Sequence, residues 1–132
     1  MIAVDTNILV RYIVRDDPEQ YARAKVFLEA RDSDDPAFVS LIVLTEFVWV
    51  LRRVYRLPPQ RIQEALMLMA ETAGILIEDE QFVSEIVQKG VALKDEFADR
   101  LIAYCAEKAG CKSTVTFDRR AANAIPSMEF LS

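Results

Sequence analysis

The chain has 132 residues, 52% of them hydrophobic, with 16 basic and 21 acidic side chains and a net charge of −5. That length and apolar fraction suit one domain, residues 1–132, with a buried core, and three glycines and five prolines are too few for a disordered chain. Histidine is absent, which excludes Ser-His-Asp and Cys-His triads and His-ligated zinc, while Cys105 and Cys111 lack the number and spacing of a zinc site or disulfide framework.

The N-terminus, M-I-A-V-D-T-N, has no basic n-region, so no signal peptide is expected. The longest apolar run, 38–51, is interrupted by Ser40, Thr45 and Glu46 and is shorter than the roughly 20 residues that span a bilayer. A cytoplasmic protein with no membrane contact is the expectation. An acidic balance does not favour phosphate binding, so any affinity for nucleic acid must come from a local basic patch.

Ile2-Ala3-Val4 reads as a strand ending at Asp5, and Ile8, Leu9, Tyr12 and Ile13 then recur at helical spacing behind Thr6 or Asn7 as cap. Asp16-Asp17-Pro18 ends that helix and starts another, with Tyr21, Ala24, Phe27 and Leu28 on its apolar side. Ala37-Phe38-Val39 is a second strand. Ser40 caps the next helix, expected to bury Val43, Phe47, Val50, Leu51 and Val54. After Pro58-Pro59 a helix carries Ile62, Leu66, Met69 and Ala73, with Gly74 as its C-cap and Ile75-Leu76-Ile77 as a third strand. Phe82, Ile86 and Val87 mark a helix ending near Gly90, and another runs from about Glu96 to Ala109. Residues 113–117 form a strand ending at Asp118, and 128–131 a last one. Short strands alternating with helices predict an α/β fold, with a mainly parallel central sheet of about four to five short strands flanked by helices.

The acidic residues fall at telling places. Asp5 and Asp118 each follow a strand and precede a helix; in one parallel sheet both would emerge at the carboxyl edge, where such folds bind ligands. Each is equally placed to serve as an N-cap. Glu46 lies within L-I-V-L-T-E-F-V-W-V-L, beside the expected apolar stripe, where an unpaired carboxylate is costly or takes up a proton. A partner such as Arg52 or Arg53, or an exposed helix face, would resolve that cost, and a bound cation is the sharper explanation. Asp99, in K-D-E-F-A-D-R-L-I-A, is expected one turn into its helix, on a face shared with Asp95 and bordering the core at Ile102. Asp95 and Glu96 equally suit a helix N-terminus. Four carboxylates from four elements, with no histidine, define an all-oxygen set of the kind that Mg²⁺ or Mn²⁺ prefers. Such a site can activate water and clamp a phosphate for phosphodiester hydrolysis.

The order V-D-T-N, then T-E in a mid-chain helix, F-A-D-R-L-I-A on a later helix and T-F-D-R after a strand resembles the PIN-domain ribonucleases, and more narrowly the VapC toxins of toxin-antitoxin pairs. The resemblance spans nearly the whole chain. It implies that Asp5, Glu46, Asp99 and Asp118 bind Mg²⁺ or Mn²⁺ and activate water for RNA cleavage, with Asn7 and Thr116 supporting the cluster by hydrogen bonds. It also implies a homodimer inhibited by a cognate antitoxin. Where the family often has a large residue after T-F-D-R, this chain has Arg120-Ala121-Ala122, which bears on substrate contacts rather than on the metal.

Arg11, Arg100, Arg119 and Arg120 are candidates for RNA contact. Arg52, Arg53, Arg56 and Arg61 around Tyr55 suit either phosphate and base contact or an ordinary solvated face. Trp49, Met67 and Met69 are expected in the core or on a dimer or antitoxin surface. Competing functions are a phosphatase with an aspartyl nucleophile, a phosphoacceptor module and an interaction module with an acidic pocket. The first wants a second carboxylate two residues after Asp5, where Asn7 stands; the second wants a lysine after the last strands, whereas Lys112 precedes its strand.

Overall fold

β-Branched and other apolar residues followed by a capped helix recur along the chain, and each recurrence builds a strand-helix step. The computed structural model describes residues 1–91 and 95–132. They form two compact units, Met1–Lys94 and Asp95–Ser132.

In the first unit, β1 (Ile2–Ala3), β2 (Ala37–Val39) and β3 (Ile75–Ile77) make a parallel sheet in the order β1-β2-β3. Ile2 pairs with Ala37, and Val39 with Ile77. Parallel neighbours require crossovers, supplied by α1 (Thr6–Val14) with α2 (Pro18–Glu29), then α3 (Leu41–Arg53) with α4 (Pro59–Glu71); α5 (Glu80–Gln88) follows β3. As the middle strand, β2 buries Ala37 and Val39 completely. Helix α1 packs on α2 and α3, and α4 packs on α3, α5 and β3. Leu9, Leu44, Phe47, Leu51, Ile62, Leu66, Val83 and Val87 fill the space between helices and sheet.

In the second unit, α6 (Phe97–Lys108) is followed by β4 (Thr114–Thr116), the six-residue α7 (Arg119–Ala124) and β5 (Met128–Phe130). β4 and β5 pair in parallel, Thr114 with Met128 and Thr116 with Phe130. Ala103, Ala121, Ile125 and Met128 form its small buried cluster.

The α/β class and parallel pairing agree with the sequence pattern, and the described strands number five in two hydrogen-bonded sheets. Local details differ. Asp5, not Thr6 or Asn7, caps α1, because a carboxylate one residue earlier already takes the Thr6 N–H. Helix α3 buries Leu41, Leu44, Phe47, Val48 and Leu51, so the expected stripe through Val43, Val50 and Val54 is misplaced. This helix is apolar almost all round, and periodicity cannot say which face meets its neighbours α1 and α4. Gly74 is not a C-cap, since Thr72 ends α4. Its missing side chain serves close approach: a Cβ there would stand 2.6 Å from the Arg31 carbonyl oxygen.

Candidate functional site

At the carboxyl edge of the three-stranded sheet, each strand hands over to a polar residue: Asp5 after β1, Ser40 after β2 and Glu78 after β3. Asp5 Oδ1 accepts from the Thr6 N–H at 2.7 Å, so one oxygen of the carboxylate anchors α1. Thr6 itself is buried, and its hydroxyl meets no hydrogen-bond partner among the described residues. Ser40 Oγ accepts from Val43 at 3.2 Å. Glu78 Oε1 accepts from the Leu41 N–H at 2.8 Å, placing a carboxylate at the positive end of α3. The sequence reading overlooked Glu78, although an acid directly behind Ile75-Leu76-Ile77 repeats the arrangement of Val4 and Asp5.

Glu46 sits on α3, the helix that packs against α1. It is exposed, which corrects the expected apolar setting: its neighbours on the same face, Ile42 and Trp49, are themselves 82% and 57% exposed. Among the three readings open from sequence, the exposed face is the one observed. Trp49 is therefore not a core residue, whereas Met69 is. Asn7 is exposed on the first turn of α1.

The second unit gathers Asp95, Glu96, Asp99 and Asp118 with Arg100 and Arg120. Asp118 caps α7, its Oδ1 accepting from Arg120 N at 2.9 Å and Ala121 N at 3.2 Å. Thr116 Oγ1 in turn accepts from the Asp118 N–H at 3.0 Å and fixes the backbone that carries the carboxylate. Asp99 stands in the first turn of α6. Burial pushes its carboxyl above the ordinary range, and the charge of Asp118 adds to the rise, while Arg120 opposes it. Helix α6 begins at Phe97, so Asp95 precedes it and shares no helical face with Asp99. Nor is Ile102 a core boundary, being 52% exposed, while Phe97, Leu101 and Ala103 are buried. Asp95 instead meets Arg120, whose guanidinium lies 3.8 Å from its carboxylate and donates to its backbone oxygen at 3.0 Å.

The arginines divide by use. Arg11 donates to Gln20 at 2.7 Å, to Asp16 at 3.2 Å and to the Tyr55 hydroxyl at 2.9 Å, and Tyr55 donates onward to Asp16. Arg100 pairs with Glu96 at 3.2 Å and donates to the Ala124 carbonyl at 3.1 Å. Both guanidiniums are occupied in holding their own units together. Arg119 and Arg120 are exposed, Arg119 stacked over Phe130 at 3.9 Å. Tyr55, open from sequence to base contact or an ordinary solvated face, is likewise engaged by Arg11 and Asp16.

A cavity of about 210 Å³ in the first unit is lined mainly by Leu9, Tyr12, Ile13, Leu28, Leu68 and Met69, and by none of the acidic candidates. Asp5, Glu46 and Asp118 are exposed, and Asp99 is half-buried. Among the described residues, no three acidic or cysteine side chains converge closely enough to hold an ion by themselves. In kind the donors fit a hard divalent cation: they are oxygens, and the charge of Asp118 acting on half-buried Asp99 is the sort of repulsion that a cation relieves.

Among the described residues, no helix is long and apolar enough to cross a membrane. No curated protein and no solved structure matched the chain. Against known protein families it matches the PIN domain over residues 2–125, a span that contains Asp5, Glu46, Asp99 and Asp118. PIN domains are generally metal-dependent nucleases, and with a match over nearly its whole length this chain belongs to the PIN-domain family.

Proposed function

We propose that this chain is a metal-dependent endoribonuclease, residues 1–132 acting as one nuclease domain in which Asp5, Glu46, Asp99 and Asp118 hold Mg²⁺ or Mn²⁺. Family membership implies a nuclease in general. The observation that carries the finer reading is the setting of Asp99, half-buried and raised in pKa beside Asp118, with the exposed Arg120 opposing. A carboxylate kept under that strain at a helix N-terminus has a use as a cation ligand. A divalent ion, when bound, supplies Lewis-acid polarisation of the phosphate and an acidified water. The chain's own part is to aim the oxygens. Asp5 and Asp118 are each pinned through Oδ1 to backbone N–H groups, and Thr116 steadies Asp118 from behind. Asn7 and Asp95 support the cluster, and Arg119 and Arg120 offset the phosphate charge.

The narrower reading is a VapC-like toxin, a cytoplasmic homodimer silenced by a cognate antitoxin. It rests on the motifs V-D-T-N, T-E, F-A-D-R-L-I-A and T-F-D-R. Family membership favours a nuclease over an aspartyl phosphatase or a non-enzymatic acidic-pocket interaction module. The test is cleavage of a pool of structured RNAs by the purified chain in Mg²⁺, Mn²⁺ or EDTA, beside an Asp5→Asn, Asp99→Asn double variant. Metal-dependent cutting lost in the variant is expected. Cutting that survives EDTA or the double substitution would refute the metal assignment.

A further inference from the structure

Four side chains of α3 follow one another along a single exposed line: Ile42, Glu46, Trp49 and Arg53, at steps of four, three and four residues. Residues at those steps are neighbours on a helix surface, so Trp49 lies one turn beyond Glu46 and one turn before Arg53. The opposite face of α3 carries Leu44, Phe47 and Leu51, all fully buried. The indole is thus turned away from the core although a tryptophan is among the costliest residues to leave in water. It is 57% exposed, exposed Ile42 stands two turns before it on the same line, and α3 ends in Arg52 and Arg53, with exposed Arg56 just beyond. In a chain of net charge −5 this is an aromatic surface edged with cations, interrupted by one carboxylate.

We propose that Trp49 is a base-stacking platform for unpaired RNA, with Arg53 receiving a neighbouring phosphate. This rests on the nuclease function above, because it takes Glu46 as the point where that strand meets the cation. An indole face accepts any base and needs it unstacked from a partner strand, so the site takes single-stranded RNA and rejects duplex. A second copy of the chain pressed on this line would bury the Glu46 carboxylate beside the indole. A strand lying along α3 leaves that carboxylate hydrated, sets the base on carbon and the phosphate on arginine. The charge pattern matches the strand.

Trp49 is the sole tryptophan, so its emission reports this position alone. The full-length protein is titrated in EDTA with a 12-nucleotide single-stranded RNA of mixed sequence and with the same RNA as a duplex. The single strand is expected to quench the emission and the duplex to leave it. Trp49→Ala is expected to weaken single-strand binding about tenfold and to raise KM with kcat nearly unchanged, while Trp49→Phe recovers most of the loss. Binding and metal-dependent cutting with the emission unmoved and Trp49→Ala unaffected would overturn the platform and leave the nuclease standing. Neither binding nor cutting of any RNA would overturn both. A halved mass for Trp49→Ala in light scattering, with no quenching by RNA in the wild type, would also overturn it and assign the face to a second copy.

Discussion

Asp118 performs two tasks that a pair of substitutions separates. Its Oδ1 satisfies the N–H groups of Arg120 and Ala121, two of the four orphan donors at the start of a helix only six residues long. Asp118→Ala removes that acceptor and is expected to cost about 1 kcal/mol, which lowers Tm by roughly 3–5 °C for a domain of this size. Asp118→Asn keeps an amide oxygen at the same place. It gives up about 0.3–1 kcal/mol of charge-dipole attraction at the helix terminus and regains part of it by relieving the repulsion on Asp99, so its metal-free stability should stay within roughly 0.5 kcal/mol of wild type. Cleavage and the rise of Tm with Mg²⁺ should be lost in both, because the cation needs charge and not merely an acceptor. Thermal melts with and without Mg²⁺, beside an RNA cleavage assay, read all of these quantities. If Asp118→Asn melts as low as Asp118→Ala, the carboxylate's charge rather than its hydrogen bonds holds α7. If Asp118→Asn keeps the full Mg²⁺ shift, Asp118 is not a ligand.

Asp99→Asn should melt higher than wild type without metal at pH 7. The carboxyl of Asp99 holds its proton to higher pH in the folded chain than in the unfolded one. The contribution of Asp99 to wild-type stability therefore falls as pH rises from the ordinary carboxylate value of 3.8 through the raised one, and is flat above it; an identical pH profile in the variant would refute the assignment. Glu46→Gln should change metal-free stability by no more than about 0.5 kcal/mol, since the side chain is exposed, and still abolish cleavage; a large loss in urea melts would reveal a structural ion pair. Gly74→Ala places a methyl group against the Arg31 carbonyl and should cost about 1–3 kcal/mol by chemical denaturation. An unchanged midpoint would mean that the end of α2 yields.

The sequence by itself determined the succession of elements, because caps, turns and short β-branched runs act within a few residues. The helix break at Asp16-Asp17-Pro18, Ser40 as an N-cap and the strand-acid-helix junctions at Asp5 and Asp118 were all legible, as was the chemical kind of the donor set. Tertiary structure decided which surfaces those elements present. A helix such as α3, apolar on nearly every side, carries no internal mark of its buried face; packing with α1 and α4 selected the side that buries Leu44, Phe47 and Leu51 and so turned Glu46 and Trp49 outward. Likewise Arg11 and Arg100 read as free cations until partners 44 and 24 residues away, Tyr55 and the Ala124 carbonyl, engaged them. Gly74 read as a cap because local sequence cannot show the Arg31 backbone pressing on it. Hydrogen bonds and contacts that close over tens of residues depend on chain topology, and topology is where a side chain's surroundings, and with them its chemistry, are set.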